Sequence, residues 1–353
     1  MSGFFSEKLR GLKPYVPGEQ PKDGNCIKLN TNENPYYTSG RAAAAADSRM
    51  LTSLRKYNDP ENSLLVGEIA SYYSVKNENV IVTNGSDEVL AFCFAAFGGK
   101  GAVFPDVTYG FYKVFASLFG VDYTEIPLDK EFKIDAEPYK KCRRAVFIAN
   151  PNAQTGIYMP PEEIESIVSS DPDRVVVVDE AYIDFGGESV IGMTAEYKNL
   201  VIVRTFSKSR SLAGARVGFA VADAALIKDL KRVKYSFNPY NVNSVSEVLA
   251  AEALKDNEYF EKCRGLICAS REKLVRELKK LGFEVLPSLA NFVLAKSAKT
   301  DGGELYERLK KNGILVRHFA DEERIKQYIR ITVGTDGQID ALIAELKHIT
   351  GAI

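Results

Sequence analysis

Histidine is nearly missing from this chain: its 353 residues contain two, His318 and His348. A Ser-His-Asp triad, an HExxH zinc site or a three-histidine metal site needs more of them, or better placed ones, so no metal is expected. The five cysteines, Cys26, Cys93, Cys142, Cys263 and Cys268, are odd in number, scattered, and form no CxxC pair. That argues against a disulfide framework and a metal knuckle, and for reduced thiols in a cytoplasm. A net charge of -1 leaves no bulk attraction to nucleic acid or to an anionic membrane. No run of about 18 apolar residues occurs, so no spanning helix is expected. The opening MSGFFSEKLRGLKPYVPGEQP lacks the apolar core of a signal peptide. There is no GxGxxG after an early strand, which weakens a nicotinamide reading, and no GxxxxGK[ST] phosphate loop.

What is present has the balance of a soluble globular enzyme, 45% apolar and 26% charged. Val80–Thr83, Ala102–Phe104, Ala145–Ala149, Val175–Val178 and Leu200–Val203 read as strands. Most are wholly apolar, and helical stretches separate them, for example the aromatic segment Tyr109–Phe119. Apolar strands alternating with helices imply an α/β domain whose parallel sheet is covered on both faces. After about residue 242 the texture changes to long charged helix, broken near Asp256-Asn257, and then to short strands and helices. We therefore expect an N-terminal segment (1–28), a large domain (29–242) and a smaller α+β domain (243–353).

Ligands in an open α/β sheet sit beyond the carboxyl ends of the strands. Four such ends carry polar groups here: Gly85-Ser86-Asp87, Asn150/Asn152, Asp179/Tyr182 and Ser207-Lys208. Asn84-Gly85-Ser86 opens a helix, where free amides suit a phosphate, although Ser86 or Asp87 taken alone reads as a simple helix cap. Asp179 ends a run of four valines, and a carboxylate placed so deep requires a cation, in an ion pair, a metal or a ligand. Arg216, between glycines, could clamp a phosphate; taken alone it reads as a structural or solvated arginine. A lysine, a buried carboxylate and a phosphate cup are together what pyridoxal 5′-phosphate requires.

The motifs narrow this further. S-K-S-R-S-L-A-G-A-R-V-G-F around Lys208 resembles the cofactor-lysine signature of fold-type I aminotransferases. D-E-A-Y-I-D-F, N-P-N-x-x-T-G and L-N-T-N-E-N-P are similar to the histidinol-phosphate aminotransferase branch and its near relatives. The resemblance runs from about Leu12 to the C-terminus. It implies a large domain with a mostly parallel seven-stranded sheet, flanked by helices, plus a smaller C-terminal domain. It implies that Lys208 is the Schiff-base lysine, that Asp179 pairs with the pyridine nitrogen, and that Tyr182 bonds the ring oxygen. Tyr109 would stack on the ring, while Gly85, Ser86, Asp87, Ser207 and Arg216 would form the phosphate site with Thr205 nearby. Tyr57 would reach the phosphate of a neighbouring subunit, which implies a homodimer with shared sites. Arg330 and Arg317 would hold the substrate phosphate, and Tyr15 and Asn32 would line the substrate cavity. His318, beside Arg317 on a strand, points to the opposite face and reads as structural.

One stretch departs from the family pattern. Where N-P-N-N-P-T-G is usual, this chain has Asn150-Pro151-Asn152-Ala153-Gln154-Thr155-Gly156. The asparagine that would bond the ring oxygen is replaced by Ala153, so either Asn152 takes over that bond or Tyr182 carries it alone. The implied reaction exchanges an amino group between histidinol phosphate and 2-oxoglutarate, giving imidazole-acetol phosphate and glutamate. An aromatic-amino-acid aminotransferase and a threonine-phosphate decarboxylase-like lyase share nearly all of these residues. A non-catalytic regulator would carry an added DNA-binding module, for which the chain has neither spare length nor a basic helix-turn-helix segment.

Overall fold

The computed structural model describes residues 4–21 and 26–351. In chain order the strands are β1 (Ile27–Lys28), β2 (Val80–Thr83), β3 (Ala102–Pro105), β4 (Tyr123–Ile126), β5 (Ala145–Ala149), β6 (Val176–Asp179) and β7 (Leu200–Thr205). They continue as β8 (Gly218–Ala222), β9 (Phe283–Val285), β10 (Phe292–Ser297), β11 (Ile314–Leu315), β12 (Arg317–His318) and β13 (Ile329–Thr332). Seven of them form one sheet in the order β2-β8-β7-β6-β5-β3-β4. Five neighbouring strands, from β7 to β4, run parallel, and β8 is antiparallel to both β2 and β7. The Val/Ile/Ala sequences of β5, β6, β7 and β8 are buried at every position, as strands covered on both faces must be.

The five strands expected in this domain are all present, but they are incomplete as a set. β4 and β8 join the sheet although neither was expected. β4 carries Tyr123-Thr124-Glu125-Ile126 at the sheet's edge, where half-exposed polar residues conceal strand character. β8 begins at Gly218, inside the glycine-rich stretch that follows Lys208. The aromatic helix starts at Phe111, two residues later than expected, because Tyr109 and Gly110 belong to the turn that feeds it.

The smaller sheet is antiparallel, in the order β12-β13-β10-β9. The packing does not divide at residue 242. Helix Ser244–Lys255 packs Ala250, Ala251 and Leu254 into the same apolar cluster as Leu65, Val66 and Ile69, so the large lobe extends past that residue. At the other end, β1 pairs in parallel with β11, and Leu29 is buried with Val293, Ile331 and Leu342 of the C-terminal lobe. Helix Asn257–Lys280 serves both lobes: Ile267 lies in the large core and Leu274 and Leu278 in the small one. Pattern within each element is local, whereas lobe membership depends on which apolar faces meet, and that is decided over hundreds of residues.

The central core is aromatic. Phe94 stacks on Phe147 with ring centroids 3.9 Å apart, and Phe104 and Tyr112 close around them. Phe147 is fully buried on β5, two residues before the strand's carboxyl end. Its replacement by alanine removes the stack and leaves a void directly under the site. We expect Phe147→Ala to lower the unfolding free energy by about 3–5 kcal/mol, read from chemical denaturation; a loss below about 1 kcal/mol would show that this core is not close-packed.

Candidate active site

The carboxyl ends of β6 and β7 and the start of helix Ser86–Phe97 surround a cavity of about 320 Å³. Its lining includes Ser86, Asp87, Tyr109, Asp179, Tyr182, Thr205, Ser207, Lys208 and Arg216. Residues separated by up to 185 positions, Thr31 to Arg216, are brought together because strand order, not chain order, sets which loops are neighbours.

The helix supplies one end. Gly85 is its N-cap, at φ +79°, and no side chain caps the first turn. The simple capping reading of Ser86 and Asp87 therefore fails, and the Asp87 carboxylate is engaged elsewhere. It accepts from the Tyr109 hydroxyl at 2.6 Å and from Arg216 Nη2 at 3.1 Å. Glycine is required at two places here. A Cβ on Gly85 would strike the Arg216 guanidinium, and one on Gly218 would strike the Ser86 amide nitrogen. The result is a cradle of free helix amides with a guanidinium against its rim, which suits an anion. Thr205 and Ser207 extend it, their hydroxyls 3.0 Å apart.

Two of the ionisable groups that line it, Lys208 and Asp179, are held away from their ordinary states. Lys208 Nζ donates to the Thr31 carbonyl at 3.2 Å and lies 5.8 Å from the Tyr182 ring centroid. Burial, with the nearby Arg330 charge adding to it, lowers its pKa to about 8. Asp179 receives the Ala181 amide at 3.1 Å and the Tyr112 hydroxyl at 3.4 Å. No lysine or arginine among the described residues forms an ion pair with it, and burial raises its pKa to about 7. Among the described residues no cluster of acidic, histidine or cysteine side chains could hold a metal ion. A buried carboxylate without a cation among the described residues, facing a cavity that also holds an amine of lowered pKa, fits a cationic ring nitrogen contributed by a ligand.

Beneath the cavity the charges are paired. Arg204 bridges Glu180 at 3.0 Å and also Asp184, and Asp184 accepts from the Ser209 hydroxyl. This network ties the residue after Lys208 to the loop after β6.

The other expected residues separate into those near the cavity and those away from it. Tyr182 is buried, and its hydroxyl accepts from Asn32 Nδ2 at 3.0 Å. Arg330 on β13 donates to the Ala153 carbonyl at 2.9 Å and to Gln154 Oε1 at 3.0 Å. Arg317 sits opposite Arg330 in the strand register, with its guanidinium on the Val16 and Pro17 carbonyls of the N-terminal arm. Tyr15, on the same arm, stacks on Phe111 at 4.3 Å. His318 bonds the Lys326 carbonyl through Nε2 and packs on Tyr306, consistent with the structural reading. Tyr57 is 83% exposed and stacks on Tyr240 at 4.5 Å, outside the cavity of its own chain.

Asn152 is a correction. Its Nδ2 donates to the Val107 carbonyl, and its Oδ1 accepts from the Gln154 and Thr155 amides. These three bonds hold the amide in the turn, and Asn152 is not among the residues that line the cavity. Ala153, not Asn152, faces the cavity. Other residues were overlooked: Thr31 and Glu33 line the cavity from L-N-T-N-E-N-P, and Tyr112 bonds Asp179. Tyr112 was detectable, since it lies three residues after Tyr109 at a helix start and so shares its side of the turn.

The aminotransferase class I and II family model matches residues 24–346 of this chain. The histidinol-phosphate aminotransferase of Clostridium beijerinckii is 48% identical over 351 residues, 99% of this chain and 98% of that protein. The crystal structure of the histidinol-phosphate aminotransferase from Clostridium acetobutylicum aligns with a TM-score of 0.86 at 25% identity, covering 93% of this chain and all of that one. At 22% identity, the fold is shared with the Sinorhizobium meliloti histidinol-phosphate aminotransferase solved with pyridoxal-5′-phosphate, TM-score 0.89, over 100% of this chain and 99% of that one.

The depressed lysine has a direct chemical readout. Below its folded-state pKa the ammonium is not nucleophilic, and above it the free amine is. In protein stripped of small molecules, we expect modification of Lys208 by an amine reagent, followed by mass spectrometry, to have a pH midpoint near 8. A midpoint near the 10.5 of a solvated lysine would show that the cavity is wet.

Proposed function

The chain belongs to the class I and II aminotransferases, and from that premise we propose that it exchanges an amino group between histidinol phosphate and 2-oxoglutarate with pyridoxal 5′-phosphate as cofactor. The observation that carries the reading is a cavity holding a buried amine, a buried unpaired carboxylate and an uncapped helix N-terminus with an arginine at its rim. The residues fit the cofactor. Gly85, Ser86, Ser207 and Arg216, with Thr205, would hold its phosphate; Asp179 its ring nitrogen; Tyr182 its ring oxygen; and Tyr109 its face. When bound, the cofactor supplies an electron sink for the carbanion left at the substrate Cα.

The chain's own groups do the rest. Lys208 Nζ would take the proton from the substrate Cα, and its lowered pKa keeps a usable fraction of free base near neutrality. Asp179 holds the balancing charge on the far side, where burial makes that charge effective. Arg330 and Arg317, opposite each other across β12 and β13, would take the substrate phosphate in one half-reaction, and one of them a glutamate carboxylate in the other. Curated relatives 46–48% identical to this chain carry the histidinol-phosphate name over 98–100% of their length, which supports this donor over an aromatic amino acid.

We further propose a homodimer in which Tyr57 enters the partner's site, which its exposure on the single chain supports. All five cysteines are free, and among the described residues no helix is long and apolar enough to cross a membrane. Both features support a cytoplasmic location.

The substrate test follows the cofactor absorbance of the holoenzyme while histidinol phosphate, and then phenylalanine, is added. Bleaching by the first alone is expected; bleaching by phenylalanine alone, or release of carbon dioxide from a phosphorylated amino acid, would replace the proposed donor. Lys208→Ala should reduce both half-reactions at least about 10³-fold. For the dimer, Tyr57→Ala and Lys208→Ala chains should regain activity when mixed and re-associated, since each heterodimer carries one intact site; no recovery would place Tyr57 in its own subunit's architecture.

A further inference from the structure

Ala153 removes one donor from the cavity, so the direction of the Tyr182 hydroxyl acquires unusual weight. A phenol oxygen can accept and donate at once, and only its donated hydrogen can serve a ring oxygen. What surrounds Tyr182 determines where that hydrogen points.

The hydrogen bonds here form a chain with one direction. The Asn32 backbone N–H donates to Thr332 Oγ1 at 2.9 Å. The Thr332 hydroxyl donates to Asn32 Oδ1 at 3.0 Å. Asn32 Nδ2 then donates to the Tyr182 oxygen at 3.0 Å. Asn32 and Thr332 are 1% and 3% exposed, so water does not compete. Asn291 Nδ2 fixes the loop from behind by donating to the Asn32 carbonyl at 2.9 Å. Asn32 itself sits at φ +57°, a conformation asparagine tolerates better than most residues.

The Thr332 hydroxyl is what orients the amide. With the backbone N–H already filling one acceptor position, its own hydrogen seeks an acceptor, and Asn32 Oδ1 is the one it has. Reversing the Asn32 amide would turn an NH₂ group onto Thr332 and a carbonyl onto Tyr182. Tyr182 would then donate back to Asn32 and away from the cavity.

We propose that Thr332 is a positioning residue, which acts through the Asn32 amide to aim the Tyr182 hydroxyl hydrogen into the cavity. Thr332 lies two residues after Arg330 on β13, so both project from the same face of the strand. One strand face of the small lobe thereby sets the substrate anion site and the polarity of a group on the large lobe. Arg330, Asp179, Asp87 and Lys208 also face Tyr182, but none of them reaches its oxygen as a hydrogen-bond donor among the described contacts.

This inference rests on the cofactor reading above, and its test separates the two. A hydrogen bond to the ring oxygen draws negative charge from the adjacent imine nitrogen, so losing it makes that nitrogen more basic. In the holoenzyme, the pH midpoint of the cofactor's absorbance change should rise by about one unit in Thr332→Val. Thr332→Ser, which keeps the hydroxyl, should retain the parent midpoint. In a Tyr182→Phe background, Thr332→Val should produce no further shift. Thr332→Ala, which leaves space rather than a methyl, carries the same expectation should the valine variant not fold. A parent midpoint in the valine and alanine variants, or an equal shift that persists without the Tyr182 hydroxyl, overturns the proposal. A parent protein that binds no chromophore overturns both readings, because the aimed hydrogen would have no acceptor.

Discussion

Everything around the cavity answers to one constraint: Asp179 is buried and Lys208 half-buried in it, and neither has an ionic partner among the described residues. Burying a charge without compensation costs several kcal/mol, and both groups respond by moving toward their neutral forms. A fold tolerates this only where the surrounding structure is over-determined. Here the stacked core under β5 and the paired network of Arg204, Glu180 and Asp184 supply the rigidity. The contrast between the layers is chemical as well as spatial. Below, Arg204 is matched by Glu180 and Asp184, which fixes geometry; above, Lys208 and Asp179 are left without an ion pair among the described residues.

The small lobe reaches the site through one strand. β13 presents Arg330 to the Ala153–Gln154 turn and Thr332 to Asn32, so it touches the large lobe at two points of the site. The departure from the family pattern at 153–154 acquires a physical sense from the first of these. Ala153 offers the ring no side-chain donor, and the turn's carbonyl together with the Gln154 amide oxygen instead holds the arginine. Tyr182 is left as the side chain whose hydroxyl can meet the ring oxygen, and the Asn32 amide leaves its hydrogen free to do so.

Much of the fold was legible in local pattern. Apolar runs located β2, β3, β5, β6 and β7, because a strand covered on both faces must be apolar throughout. β4 was not legible, since an edge strand is covered on one side only, and β8 was hidden behind glycines required by the cradle. The lobe assignment of helix Ser244–Lys255 was likewise beyond local reading, as an amphipathic face does not name its partner.

For the site, residue type carried the chemistry. A lysine, an aspartate after four valines and a glycine-opened helix at strand ends each allow a plainer reading alone, and only taken together, with the motif around Lys208, do they point to an amine, an acid and an anion cradle for one cofactor. Hydrogen-bond direction was decided only by tertiary structure. Asn152 and Asn32 carry the same amide in loops that contain proline, yet the first donates to the Val107 carbonyl and accepts from its own turn, while the second donates to Tyr182. That difference depends on partners 45 and 300 positions away, and only the packed chain brings them within reach.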